Sequence, residues 1–156
     1  MTLCYITPIF DRNSNDILLK TDKAFFNISD YLRIDNNIRY AKSLIERANG
    51  TTIQIDPIEE PNIGDAIQPE EINILVRNII TIQEHARLAN TKGYRLSAQY
   101  APDELFPDYF EVNKWEKVID LIVKIYEPLY MGRKPIISKA ISGLKLMLQN
   151  YFRKTR

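Results

Sequence analysis

The residues best equipped for chemistry are few and scattered. The 156-residue chain has one cysteine, Cys4, and one histidine, His85. Nucleophilic catalysis by a Cys–His couple needs the two side chains within hydrogen-bond reach, and position 4 is a poor place for it. A zinc or iron site needs several His, Cys or carboxylate ligands at defined spacing, and the sequence has no such set. Carboxylates occur in adjacent pairs, Glu59-Glu60, Glu70-Glu71 and Asp103-Glu104. Two carboxylates that meet can act as general acid and base, but neighbours on a loop or helix start are normally solvated or capping groups. The five glycines are dispersed, so no phosphate-cradling loop is present. One polar type does recur in register. Asn37 and Asn78 share one repeat position, and Asn73 and Asn113 share another. Amides beside an apolar stripe suit hydrogen bonding to loop backbone and fixing of helix register. This is structural chemistry. No catalytic, cofactor-binding or metal-binding residues are expected, and the chain reads as a non-enzyme.

The elements that carry these asparagines repeat. Tyr31, Ile34, Ile38, Ala41, Ile45 and Ala48 are spaced 3, 4, 3, 4, 3, one stripe of an α-helix. Shifted by 41 positions, the same spacing picks out Ile72, Leu75, Ile79, Ile82, Ala86 and Ala89. Shifted by a further 40, it picks out Val112, Trp115, Ile119, Ile122, Tyr126 and Leu129. Asn27, Gln68 and Asp108 stand at one position before each stripe, followed three residues later by Asp30, Glu71 and Glu111. A polar residue followed at that interval by an acid is a capping-box pattern, and the acid also suits the helix dipole. Pro69 falls in a first turn, where proline is tolerated. The spacing predicts repeated helices over 27–49, 68–91 and 108–130. They stop at Asn49-Gly50, at about Asn90 to Gly93, and near Pro128 and Gly132. Trp115, the sole tryptophan, reads as a core anchor.

A further helix is predicted over 135–153, with Ile137, Ile141, Leu144, Leu148 and Tyr151 as its stripe and Arg153, Lys154 and Arg156 suiting its C-terminus. Long connections are usually functional. Residues 51–67 contain Asp56-Pro57 and Glu60-Pro61 and must be largely extended. In residues 94–107, Tyr94, Leu96, Tyr100, Leu105 and Phe106 either fold back over the helices or touch a neighbouring chain. Residues 1–24 form an N-terminal arm. Its apolar Tyr5, Ile6 and Ile9 suit docking on another subunit by strand addition. The expectation is therefore an all-α fold in a single domain, 1–156. It is a small bundle of about four helices, three of them from internal repeats, with long extended connections and room for a short N-terminal strand.

Charge and composition narrow the partners. A net charge of +1 with 26% charged residues provides no broad basic footprint for nucleic acid or membrane. The N-terminus lacks the basic and apolar regions of a signal peptide, and no stretch reaches the ~18 apolar residues of a membrane span. Synthesis in a cytoplasm is expected, with no nucleic acid and no membrane as partner. The alternative is a small helical nucleic-acid-binding regulator using Arg33, Arg39, Lys42 and Arg47 on the polar side of the first repeat helix.

The segment Phe26-Asn-Ile-Ser-Asp-Tyr-Leu-Arg-Ile-Asp-Asn-Asn-Ile-Arg-Tyr40 resembles a repeated module of tail and baseplate structural proteins in phages and prophages of Gram-positive bacteria. Pro69 through Asn78 and Glu111 through Glu116 are similar to its second and third units, and Thr7-Pro8-Ile9 with Asp11-Arg12 to its usual opening. The similarity covers roughly residues 5–130. Leu32 stands where the module has Asn, Asp35 where it has Glu, and Leu75-Val76 where it has Ile-Glu. The resemblance implies a virion or tail-particle component present in multiple copies in a symmetric assembly. Its partners would be other tail or baseplate proteins or tail fibres, and it implies no catalytic residue or cofactor.

Overall fold

A computed structural model describes residues 3–21, 23, 26–59, 66–88, 96 and 107–130 of the chain. Among these residues the structure is all-α, with α1 (Ser14–Leu19), α2 (Ile28–Asn49), α3 (Pro69–His85) and α4 (Tyr109–Tyr130). The three repeated helices are α2, α3 and α4, and each packs against both of the others. The predicted C-terminal helix over 135–153 lies outside the described residues.

Each helix forms where local chemistry starts it. Asn27 caps α2, its side chain accepting from the Asp30 N–H while Asp30 accepts from the Asn27 N–H. Gln68 with Glu71 begins α3, with Pro69 in its first turn, and Asp108 accepts from the Glu111 N–H at the start of α4. The predicted stripes face one another. Tyr31, Ile34, Ile38, Ala41 and Ile45 meet Ile72, Leu75, Ile79 and Ile82, and Val112, Trp115, Ile119 and Ile122 complete the core. Ala48 is exposed on the last turn of α2, so the stripe ends one step earlier than its spacing predicts.

The helices run parallel. Arg33 near the start of α2 meets Glu116 of α4, and Tyr40 further along meets Glu127. The Glu71 carboxylate in the first turn of α3 acts on Tyr31 in the first turn of α2. Three aligned dipoles therefore place their positive ends together. The first turns hold Asp30, Glu70, Glu71 and Glu111 at that end, which offsets the unfavourable alignment.

Parallel neighbours need return segments, and this is the role of the extended stretches. Residues 3–12 run antiparallel to α2 and α4, with Tyr5 beside Tyr40 and Arg12 beside Asp30. Residues 51–59 pass from the end of α2 to the middle of α3, where Asp56 meets Asn78. In the first two units an extended segment is thus followed by a helix, residues 3–12 being the extended part of the first, while residues 89–95 and 97–106, ahead of α4, lie outside the described residues. No strand occurs among the described residues, so the short N-terminal strand is not formed. The arm hydrogen-bonds to side chains of helices, and its own helix α1 was not expected from the sequence.

The second helix stops at His85, earlier than the predicted 91. Arg87 takes a left-handed conformation, φ 60°. Its N–H donates to Glu84 O and the Leu88 N–H to Gln83 O, both 2.9 Å. This is a Schellman ending with arginine where glycine is usual, and it turns Leu88 into the core. Replacing Arg87 by Gly is expected to stabilise the protein by about 0.5–1 kcal/mol. That is the left-handed penalty of roughly 1–2 kcal/mol less the extra unfolded-state entropy of glycine. Urea unfolding of R87G checks it, and a lower midpoint would contradict the assignment of strain.

Candidate functional site

The groove between α2 and α4 holds the arm through polar groups of the motif-bearing helices. Asn37 acts as a two-point clamp. Its Oδ1 accepts from the Ile6 N–H at 2.9 Å and its Nδ2 donates to Ile6 O at 2.8 Å. Asn113 does the same for Arg12, accepting from its N–H at 3.3 Å and donating to its carbonyl at 2.7 Å. In the neighbouring groove Asn78 clamps Asp56 at 2.8 and 2.9 Å. A side-chain amide thereby imitates a strand edge and satisfies backbone groups that would otherwise be stranded against a helix. Asn36 adds a donor to Cys4 O, and Glu46 accepts from the Ile53 N–H. The recurring asparagines serve the backbone, as their repeat positions suggest. Asn73, also buried, occupies on α3 the repeat position of Asn113.

Between the two arm clamps lies a buried cluster of four charges. The Arg12 guanidinium, 5% exposed, donates to Asp30 at 2.7 Å and to Glu116 at 3.4 Å. Arg33 donates to the same two carboxylates, at 2.5 and 2.6 Å. Arg12 also donates to Ile9 O, and the Ile9 N–H donates to Glu116. Two cations and two anions make the cluster neutral. Burial still pushes the Glu116 carboxyl above the usual carboxylate range, against the pull of Arg33, Arg12 and the Ile9 N–H. A buried carboxyl with a raised pKa is a common mark of an active site. Here both of its oxygens are bonded to the chain itself. Further along the arm, Tyr5 stacks on Tyr40 at 5.8 Å and donates to Asp120 at 2.9 Å. Burial, followed by that bond, raises its hydroxyl well above the ordinary tyrosine range.

Of the residues singled out as an interface, Tyr94, Tyr100, Leu105 and Phe106 lie outside the described residues. Leu96 is buried in the core. Tyr5 and Ile9 are half-buried in their own chain's groove, and Ile6 remains 41% exposed. The arm's backbone is thus engaged by its own helices rather than held out as a free strand. The basic residues of the first repeat helix are also largely engaged. Arg33 turns inward, Arg39 pairs with Asp35 and Lys42 with Glu46. His85 is exposed and its Nδ1 faces Thr81 O at 2.9 Å. Among the described residues no group of His, Cys, Asp and Glu is placed to hold a metal ion, and no helix is long and apolar enough to cross a membrane.

The residues that sequence reasoning undervalued are Arg12 and Glu116. A signal was present for Glu116. Its repeat position is Val76 in the second unit, a buried site, and it lies between Trp115 and Val118. A charged residue in that register requires a buried partner.

No protein-family model, curated protein or solved structure matches this chain.

The clamps make a direct prediction. Asn37→Ala leaves the Ile6 N–H and carbonyl without their partner and is expected to cost about 1–3 kcal/mol. Asn37→Asp keeps an acceptor for the Ile6 N–H but buries a charge and sets an oxygen against the Ile6 carbonyl, so it should cost at least as much as the alanine. Chemical denaturation of the three proteins orders them. An Asn37→Ala variant as stable as the parent would show that the clamp contributes nothing.

Proposed function

We propose that this protein is a structural component of a phage tail or of a contractile-injection-type baseplate, connecting tail or baseplate proteins or tail fibres. The observation that carries this reading is what the residues shared with the tail module do. Asn27 and Asp30 cap α2, Arg33 enters the charge cluster, Asn36 and Asn37 hold the arm, and Tyr40 stacks on Tyr5. In the opening motif, Arg12 fills the same cluster. All of these polar groups are bonded within the chain, Asn27, Asp30, Asn36, Asn37 and Arg12 to backbone, which is the use a scaffold makes of them. Side chains used up in this way support a structural role.

In a virion or tail particle the protein would occupy equivalent positions around a symmetry axis, in multiple copies. Its outer helix faces and long connections would face its neighbours. The test is a deletion strain whose particles are viewed by negative-stain electron microscopy. Tails lacking fibres or baseplate density are expected. Complete, fibre-bearing tails would refute the reading. Mass spectrometry of purified particles supplies a second measure, with the protein expected at a fixed multiple of the other tail proteins.

A further inference from the structure

The groove between α2 and α4 holds an extended segment, Cys4 to Arg12, as a receptor holds a peptide. Asn36 and Asn37 of α2 bond its backbone at Cys4 and Ile6, Asn113 of α4 bonds it at Arg12, and Glu116 accepts from the Ile9 N–H. The fit is electrostatic as well, since Arg12 brings a second cation to Asp30, Arg33 and Glu116. Without an arm these buried charges and amides lose their partners, so the groove is incomplete. None of the contacts requires arm and groove to belong to one molecule. Every further copy of the chain carries an arm with the same backbone and the same arginine.

Residues 13–26 form the hinge that joins the arm to α2, and its described part is weakly closed. Lys20 takes a left-handed conformation, φ 51°, which is costly for a residue other than glycine. The Lys23–Asp11 pair spans the hinge at 2.7 Å with both side chains exposed, and such a pair contributes little. Helix α1 buries none of its residues, its polar contacts are local, Asp16 with Asn13 and Thr21, and six residues make no stable helix by themselves. Uncovered apolar surface gathers here too. Of the seven large hydrophobic side chains exposed among the described residues, five lie in the arm and α1: Leu3, Ile6, Ile17, Leu18 and Leu19. Such a concentration marks a surface that a partner covers.

We propose that two copies of this chain exchange arms, residues 3–12 of each occupying the α2–α4 groove of the other. The contacts inside each groove are unchanged by the exchange, so the hinge and the new interface decide it. Opening the hinge releases the strain at Lys20. In a twofold pair the two hinges pass each other in opposite directions, which brings Leu18 and Leu19 of the two copies together and covers them. The fourteen residues 13–26 reach roughly 45 Å when extended, against a radius of gyration of about 15 Å for a chain this long. The hinge can therefore cross to a neighbour in contact. The pairing needs only this chain, so it stands or falls apart from any role in a tail.

Cross-linking of the purified full chain tests it. Cys4 is the sole cysteine and its carbonyl lies 2.8 Å from Asn36 Nδ2, so Asn36→Cys sets a second thiol beside the arm, whichever copy supplies that arm. Light- and heavy-isotope chains are unfolded together, refolded at high concentration and treated with a short bis-maleimide. Mass spectrometry then reads the peptides that join Cys4 to position 36. About half of them are expected to unite a light with a heavy chain, the random-mixing value for an exchanged pair. If every such peptide is all light or all heavy, each arm sits in its own groove and the proposal is overturned. A dimer by light scattering without mixed peptides also overturns it and assigns the pairing to intact bundles. Should Asn36→Cys fail to refold, light scattering of the parent and of Lys20→Gly decides. Glycine removes the strain of the closed hinge, so the dimer of Lys20→Gly is expected to be about tenfold weaker. A parent that stays monomeric, or a dimer equally tight in Lys20→Gly, overturns the proposal.

Discussion

Replacing Arg12 by Met is expected to destabilise the fold by about 3–5 kcal/mol, the usual cost of removing one partner from a buried ion cluster. Methionine keeps most of the apolar stem but removes the guanidinium that neutralises Asp30 and Glu116 and donates to Ile9 O. Arg33 then faces two buried carboxylates alone. Two consequences separate this explanation from simple loss of packing. The double variant R12M/E116Q removes one charge of each sign and should be less destabilised than the sum of the single changes. The pH dependence contributed by Glu116 should also steepen. The Glu116 carboxyl already lies above the usual range because it is buried, and loss of Arg12 raises it further. A carboxyl whose folded pKa exceeds its unfolded value binds its proton more tightly in the fold. The penalty is therefore full above the folded pKa and is relieved as pH falls toward the ordinary value of about 4.3. R12M should gain stability on acidification from neutral pH, measured as a rising urea midpoint. A midpoint that gains no more on acidification than the parent's does would remove the buried-charge explanation.

Trp115→Ala is the other large effect, expected at about 3–5 kcal/mol, the range for truncating a buried aromatic in a packed core. Trp115 is fully buried on α4 and meets Phe26 edge-on at 5.9 Å, just before α2 begins. It therefore joins the third unit to the entry of the first. A domain of this size is stable by roughly 5–15 kcal/mol, so W115A should leave the fold marginal at room temperature. Circular dichroism follows its unfolding, since the variant has no tryptophan left to report. Trp115→Phe retains the edge contact and should recover more than half of the loss. A cost below about 1 kcal/mol for W115A would mean that the groove can collapse around the gap.

Taken together, the two substitutions divide the molecule by mechanism. The apolar seam supplies the gross stability of three parallel helices, which have no favourable dipole arrangement of their own. The polar cluster and the asparagine clamps decide where the extended segments lie. A variant such as N37A should leave the helices intact while loosening residues 3–12, whereas W115A should loosen everything at once.

Much of this architecture is local and was legible in the residues. The three stripes, the capped starts at Asn27, Gln68 and Asp108, and the shared asparagine positions follow from helical period and from the needs of helix ends. These are short-range rules, and α2 and α4 match the predicted ranges to within a residue. Three features were decided elsewhere. α3 ends at His85 because burying Leu88 makes a left-handed arginine worthwhile, and no local preference signals that. The arm reads as an appendage in sequence, since its apolar residues have no period. In the fold it is the first return segment, because parallel helices leave a groove whose lining amides need backbone partners. The cluster of Arg12, Asp30, Arg33 and Glu116 joins residues more than a hundred positions apart. Only the tertiary packing that closes α4 onto α2 brings those charges together, and only burial makes their balance matter.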